Sequence, residues 1–171
     1  MHKQMYALIP NGKKPYIVEI FGYATKGIPG LEIVGLGAKG KSIKEKFIYL
    51  NKKLNQKLPP RRFVLCVEDQ FLNSNKEDLF RWLELPFLIM YWSMAGVLPI
   101  QFLDDCLCGG RISARGEIET SPVEEINFDE LENFMSHNMK LITKEGHQSG
   151  HNYSFIPLEE IVSFKKLLEA S

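Results

Sequence analysis

Residues 35–42 constrain the fold of this chain more than any other segment, because they fit the phosphate-binding P-loop pattern Gly-x-x-x-x-Gly-Lys-Ser. A P-loop follows a strand and opens a helix, and the residues before and after this segment have those two characters. A nucleotide would place its phosphates on the loop and the lysine, and its magnesium on the serine and an acidic strand end. The site of such a small P-loop NTPase, our alternative hypothesis, would comprise Gly35, Gly40, Lys41, Ser42 and Asp69.

The strand before this segment argues against a working P-loop. A P-loop strand lies inside a parallel sheet covered on both faces and is almost continuously apolar, whereas residues 31–34 include Glu32. Residues 16–23 are also strand-like, and the connection at 26–30 is too short for a parallel crossover. We therefore predict an antiparallel pair of 16–23 with 31–36, and a glycine-bearing turn into a lysine-rich helix.

The length and composition of the chain fit one globular domain. The 171 residues suit a single domain over positions 1–171, and 44% of them are hydrophobic. Three cysteines make no even disulfide framework, and the charged start is unlike a secretory signal, so we expect a cytoplasmic protein. The longest apolar run, residues 85–97, is too short to span a bilayer, so we expect no membrane partner.

Charge is balanced over the whole chain but not along it. Lys and Arg number 21, as do Asp and Glu, so the net charge indicates no class of partner. Residues 39–62, however, carry nine basic residues and the single acid Glu45. This stretch is either a solvated helix surface or a contact surface for nucleic acid or an acidic protein. The candidate contact residues are Lys44, Lys52, Lys53, Arg61 and Arg62.

Hydrophobic periodicity and turn residues predict the order of the elements. A helix at 39–57 has one apolar face, and a helix at 83–96 is apolar nearly all round and so belongs to the core. The remaining predicted elements are strands at 5–10, 62–68, 140–143 and 153–156, a polar loop at 73–75, a hairpin near 106–121, and helices at 128–137 and 157–168. This order predicts an α+β domain with a mixed sheet, antiparallel hairpins and three or four helices.

Five segments, in their order and spacing, resemble one known family. They are residues 27–36 (GIPGLEIVGL), 58–64 (LPPRRFV), 84–86 (ELP), 109–117 (GGRISARGE) and 156–161 (IPLEEI). Together they resemble the N-terminal Lon-protease-like (ChlI-type) domain of the ComM/YifB family of magnesium-chelatase-like AAA+ ATPases. The resemblance spans about residues 5 to 168 and implies the ribosomal protein S5 domain 2-like fold. In that family the nucleotide site belongs to a separate AAA+ module that follows this domain.

The resemblance also bears on catalysis, because proteolytic Lon domains use a serine activated by a lysine. Alignment on residues 84–86 puts Trp82 at the serine position, and alignment on residues 115–117 puts Glu124 or Glu125 at the lysine position. Ser74, close to Lys76, is a much weaker candidate nucleophile. The resemblance therefore implies a domain with no catalytic residues and no peptidase activity.

A metal site is the remaining chemical option. His147 and His151 have the spacing His-x-x-x-His, and Cys106 and Cys108 could add thiolates. The histidine segment lacks helical character, so we favour a polar surface loop and expect neither metal nor cofactor.

The resemblance thus implies a non-catalytic Lon-like domain that acts in assembly or partner contact. In the family that this chain resembles, the domain is part of ring-forming ATPases that process DNA during natural transformation. The expected partners are another copy of the chain or an AAA+ module, with nucleic acid as a further candidate and no small-molecule substrate.

Overall fold

The computed structural model describes residues 1–12, 14–121, 131, 134, 138–144 and 154–163. The strands are β1 (His2–Asn11), β2 (Lys14–Thr25), β3 (Gly30–Val34), β4 (Arg62–Val67), β5 (Cys106–Cys108), β6 (Gly110–Ile112), β7 (Ile118–Thr120), β8 (Lys140–Thr143) and β9 (Ser154–Pro157). The helices are α1 (Ala38–Lys53), α2 (Gln70–Ser74), α3 (Glu84–Met94) and α4 (Leu158–Ile161), and a 3-10 helix at Asp78–Leu83 leads into α3. The described part is therefore an α+β structure, as predicted.

The main sheet is mixed. Its seven strands lie in the order β3-β4-β2-β1-β5-β8-β9. β1 with β2 and β2 with β4 are antiparallel pairs. β3 with β4, β1 with β5, β5 with β8 and β8 with β9 are parallel pairs. The predicted hairpin near 106–121 is confirmed for β6 and β7, which form a separate two-stranded sheet, whereas β5 joins the main sheet.

The predicted antiparallel pair of 16–23 with 31–36 is wrong. β4 lies between β2 and β3, antiparallel to the former and parallel to the latter. The reason is burial: β4 is buried almost throughout and takes an inner place, whereas β3 carries the exposed Glu32 and takes the edge. Since α1 connects β3 to β4, the chain contains a strand-helix-strand unit that the short 26–30 connection did not lead us to expect.

The core lies mainly between the sheet and two helices. All residues of α3 are buried, and the helix packs against β1, β2 and β4, which confirms it as the core helix. α1 buries the apolar face that contains Ile43, Phe47 and Leu50. A smaller cluster on the opposite face of the sheet includes Leu8 and Leu107, since successive side chains of a strand alternate between faces.

Two predicted boundaries shift for local reasons. α1 ends at Lys53 rather than at residue 57, because Asn55 adopts the left-handed conformation with φ of 50°. The predicted loop at 73–75 overlaps the end of α2, a short helix whose N-cap is Asp69. The strands predicted at 62–68 and 140–143 are confirmed as β4 and β8.

Several predictions fall on residues outside the described ranges. These are most of the helix at 128–137, Tyr153, residues 164–168 of the helix at 157–168, the lysine position at Glu124 or Glu125, and the pair His147 and His151. Within the described residues the helix predicted at 157–168 covers only Leu158–Ile161, because the backbone of Val162 is extended. Within the described ranges, no helix has both the length and the apolar character that crossing a bilayer requires.

Candidate functional site

The P-loop-like segment lies at the carboxyl end of β3, where it turns into α1. Gly35 has φ of 104°, and a Cβ at this position would lie 1.7 Å from the carbonyl oxygen of Val67. Glycine is therefore required here because the turn passes directly over the end of β4. Farther along, the amide of Lys39 donates to the carbonyl of Leu36 at 3.2 Å, so this N–H is used within the turn.

The remaining P-loop positions lie inside α1, which begins at Ala38. Gly40 is buried, and a Cβ there would approach Cγ2 of Ile33 to 3.2 Å, so this glycine allows the helix to pack closely on β3. Lys41 and Ser42 are exposed on the helix. A phosphate cradle needs a glycine-rich loop whose free N–H groups converge, and a helix that starts three residues after Gly35 leaves no such loop.

Lys39 is not one of the fixed positions of the P-loop pattern, but it is the lysine of this segment that makes structural contacts. Its Nζ donates to the carbonyl oxygens of Leu72 and Asn73 at 2.9 Å each, and to that of Asn75 at 2.8 Å. It also lies 5.5 Å from the ring centroid of Phe80. The ammonium group therefore satisfies the terminal carbonyls of α2, where a positive charge is favoured.

Asp69, the proposed magnesium ligand of the alternative hypothesis, has both carboxylate oxygens engaged. Oδ1 accepts a hydrogen bond from the amide of Leu72 at 2.8 Å, and Oδ2 accepts one from the hydroxyl of Tyr16. Burial and, after it, the bond to Asp69 raise the pKa of Tyr16 to about 12. These contacts make Asp69 the cap that fixes α2 to β2.

The position that the resemblance assigns to the catalytic serine is occupied by a buried ring. Trp82 is buried, and the guanidinium carbon of Arg111 lies 4.6 Å from its ring centroid. Two residues on, the 2% exposed Glu84 accepts a hydrogen bond from the amide of Ile112 at 3.1 Å. This region therefore joins the start of α3 to β6.

Glu84 is also an ion-pair centre. Lys46 of α1 donates to its Oε2, and Nε of Arg81 lies 3.4 Å from its Oε1. Three donors on separate segments therefore meet one buried carboxylate. Sequence reasoning missed this role, although a glutamate within an otherwise apolar helix was a signal that could have identified it.

An open pocket of about 500 Å³ lies beside Arg111. Ser113 and Lys144 both line it, a pair that sequence reasoning did not identify because the two residues come from distant segments. The hydroxyl oxygen of Ser113 accepts bonds from the amides of Arg115 at 3.2 Å and Glu117 at 3.1 Å. Among the described residues, Ser113 has no hydrogen bond to Lys144, so the pair lacks the contact that a serine and its base require.

A groove runs along the outer edge of β3, between this strand and α1. Two adjoining hollows of about 560 and 300 Å³ share Glu32 and Lys44 in their walls, and Arg62 lines the larger. The Arg62 guanidinium donates to both oxygens of Glu32, at 3.1 and 2.7 Å. This bond, together with the charges of Arg62 and Lys44, lowers the pKa of Glu32. We call this feature the edge groove.

The predicted basic surface divides into separate parts. Lys44 and Arg62 meet at the edge groove, while Lys52 and Arg61 are exposed. Lys53 is directed elsewhere, with its Nζ 3.4 Å from the carbonyl oxygen of Ala114 in the turn between β6 and β7.

The cysteines do not favour metal binding. Cys106 and Cys108 are buried in β5, and burial raises the pKa of Cys106 to about 12 and that of Cys108 well above its ordinary value. Metals bind the thiolate, which these environments disfavour. The described ranges contain no group of three or more His, Cys, Asp or Glu residues placed to hold a metal ion.

Comparison with known proteins identifies no family for this chain. No protein-family model matches the chain, and no curated protein matches it significantly.

Proposed function

We propose that this chain is a non-catalytic Lon-like domain that acts in assembly or partner contact, as the resemblance to the ComM/YifB ATPases implies. The observation that carries the proposal is the buried ring of Trp82 at the position that the resemblance assigns to the serine. Where a proteolytic Lon domain needs a free hydroxyl, this chain has an indole ring packed against the guanidinium group of Arg111.

The surface of the described part supports a role in contact rather than in chemistry. The edge groove combines a strand at the rim of the sheet with apolar and basic walls. Such a surface suits a macromolecular partner, and the resemblance suggests an AAA+ module, another copy of the chain or nucleic acid.

A peptidase assay tests the non-catalytic part of the proposal. We expect no hydrolysis of casein or of fluorogenic peptides by the purified chain, with an active Lon protease as the positive control. Hydrolysis that is lost in Ser113→Ala or in Ser74→Ala would overturn the proposal, because either serine would then be a working nucleophile.

Light scattering after size-exclusion chromatography tests the contact part. We expect the chain to self-associate or to form a complex with the AAA+ module of a ComM/YifB-type ATPase whose own Lon-like domain has been removed. A chain that stays monomeric and leaves the module's elution and mass unchanged would contradict this part.

The small P-loop NTPase is the second candidate, because β3, α1 and β4 form a parallel unit with the motif at the carboxyl end of β3. The short turn between Gly35 and the start of α1 at Ala38 argues against this candidate, because it leaves no loop to hold a phosphate. We therefore expect Mg-ATP to leave the melting temperature of the chain unchanged. A nucleotide-induced rise that disappears in Lys41→Ala, but persists in the matched helix variant Lys44→Ala, would favour the NTPase instead.

A further inference from the structure

We propose that the edge groove binds an extended, acidic segment of a partner protein, which adds to β3 as a further strand of the main sheet. This inference rests on the proposed function as a partner-contact domain and specifies how the partner binds.

The free edge of β3 provides the backbone groups. Among the described strands, β3 pairs with β4 alone and is the last strand of the sheet. The amide of Gly30 donates to the carbonyl of Arg61 at 3.2 Å, so the backbone of Gly30 faces β4. Because backbone groups alternate along a strand, those of Leu31 and Ile33 point to the open edge. Such groups are a template for an added strand.

The edge groove provides room for side chains of that strand. Leu31 and Ile33 of β3 and Ile48 of α1 give it apolar walls. At its two ends, Ile28 is 88% exposed and Val34 is 49% exposed. Since successive side chains of an added strand alternate, every second one would enter the groove on the side of Leu31 and Ile33.

The charges select an acidic partner. Lys41, Lys44 and Lys52 share one side of α1 with Ile48, and the first two line the groove. Glu32 and Arg62 neutralise each other through their bidentate bond, so the charges left in the groove are those of Lys41 and Lys44 against the single acid Glu45. A second copy of the chain would bring two lysine-bearing helices together, which opposes self-pairing along this edge. A polypeptide also satisfies the edge N–H and C=O groups, whereas a phosphate backbone has no donors to match the carbonyls.

Fluorescence anisotropy with a labelled peptide tests the proposal. The probe is an eight-residue peptide in which every second residue is threonine and the residues between them are valine and glutamate in turn, so that apolar and acidic side chains both enter the groove. The comparison peptides have lysine for glutamate or N-methyl groups on alternate amides. We expect saturable binding of the glutamate peptide and at least a tenfold weaker affinity for both comparison peptides. No saturable binding up to about 1 mM, or equal binding of the N-methylated peptide, would overturn the proposal.

Variants of the chain locate the site. Ile33→Pro removes an outward N–H from an edge strand, where proline is tolerated, and should weaken binding at least tenfold. The double variant Lys41→Glu and Lys44→Glu should do the same and should improve binding of the lysine peptide. Lys14→Glu, a single charge reversal at the far end of β2, is the control and should leave binding unchanged. Unchanged affinity in both groove variants would contradict the assignment.

The two proposals fail separately. If the chain binds an AAA+ module and the groove variants bind it equally well, the proposed function stands and the edge groove is wrong as its site. If the glutamate peptide binds but the chain also hydrolyses peptides through a serine, the groove assignment stands and the non-catalytic function falls.

Discussion

At the scale of single residues, three charged side chains are used to join elements, and only one of them, Asp69, was a predicted site residue. Lys39 and Asp69 hold the two ends of α2, and Glu84 joins α1, the 3-10 helix and β6. Residue type and spacing identified Asp69 as noteworthy, but its role depends on Tyr16, which lies 53 positions away. Partners so distant in sequence leave no local pattern from which they can be predicted.

We expect Glu84→Ala to destabilise the fold by about 3 to 5 kcal/mol, because it leaves the partly buried Lys46 and the amide of Ile112 without their shared acceptor. Urea denaturation measures the change. The exposed Glu45→Ala on α1 is the control and should cost less than about 0.5 kcal/mol. Equal costs for the two variants would show that the Glu84 contacts do not stabilise the fold.

We expect one tyrosine to titrate with a midpoint of about 12 in ultraviolet absorbance, and this step to be absent in Tyr16→Phe. Because the folded pKa lies above the ordinary 10.0, the contribution of Tyr16 to stability is complete below pH 10 and is lost as the pH rises through about 12. Asp69→Asn should lower the midpoint only in part, since burial is the larger cause. A Tyr16 midpoint near 10 would contradict this.

At the scale of elements, the helices with strong periodicity were predictable and the pairing of strands was not. The face of α1 and the buried α3 follow directly from their apolar spacing. The place of β3 does not, because a short connection such as 26–30 allows either direct pairing or a gap that a later strand fills. β4 takes the inner place because it is the more apolar strand, and this choice depends on comparing strands that are distant in sequence.

We expect Gly35→Ala to destabilise the fold by at least about 2 kcal/mol and to increase hydrogen exchange in β3 and at the end of β4. The new Cβ would collide with the carbonyl of Val67, and φ of 104° is unfavourable for alanine. Gly12→Ala is the matched control, with φ of 61° and no neighbour within 4 Å, and should cost only about 1 to 2 kcal/mol. Equal costs would show that the close approach to β4 is unimportant.

We expect Lys39→Met to cost about 1 to 2 kcal/mol and to loosen α2, since three carbonyls lose their donor. Lys41→Met, two residues along the same helix and exposed, should change stability by less than about 0.5 kcal/mol. Thermal unfolding compares the two. The reverse order would indicate that Lys41, not Lys39, has the structural role.

At the scale of the whole molecule, α+β class and mixed strand directions were predictable from the order of elements, and both are confirmed. The S5 domain 2-like fold, the ComM/YifB family and the contact function stay predictions. The edge groove could not be located from the sequence, because its walls come from β3, α1 and β4, and only their pairing brings Lys44 and Arg62 together. The charge of residues 39–62 predicted a candidate contact surface but did not predict its shape.

We expect the chain to unfold in one cooperative step, with tryptophan fluorescence and far-ultraviolet circular dichroism giving coincident urea transitions. Trp82 and Trp92 both belong to the continuous cluster between sheet and helices, while the dichroism reports on the whole chain. Leu107→Ala, in the smaller cluster on the opposite face, should shift both transitions together by about 2 to 4 kcal/mol. A shift confined to one signal would show that the two faces unfold separately.

The two-sided pairing of β1 has a consequence for synthesis on the ribosome. β2 can cover one side of β1 almost at once, but the other side waits for Leu107 and Cys108. At about 5 to 20 residues per second, a nascent chain would leave that side open for several seconds. We therefore expect the yield of folded protein to fall when translation beyond β2 is slowed, because the unpaired side of β1 then stays exposed for longer.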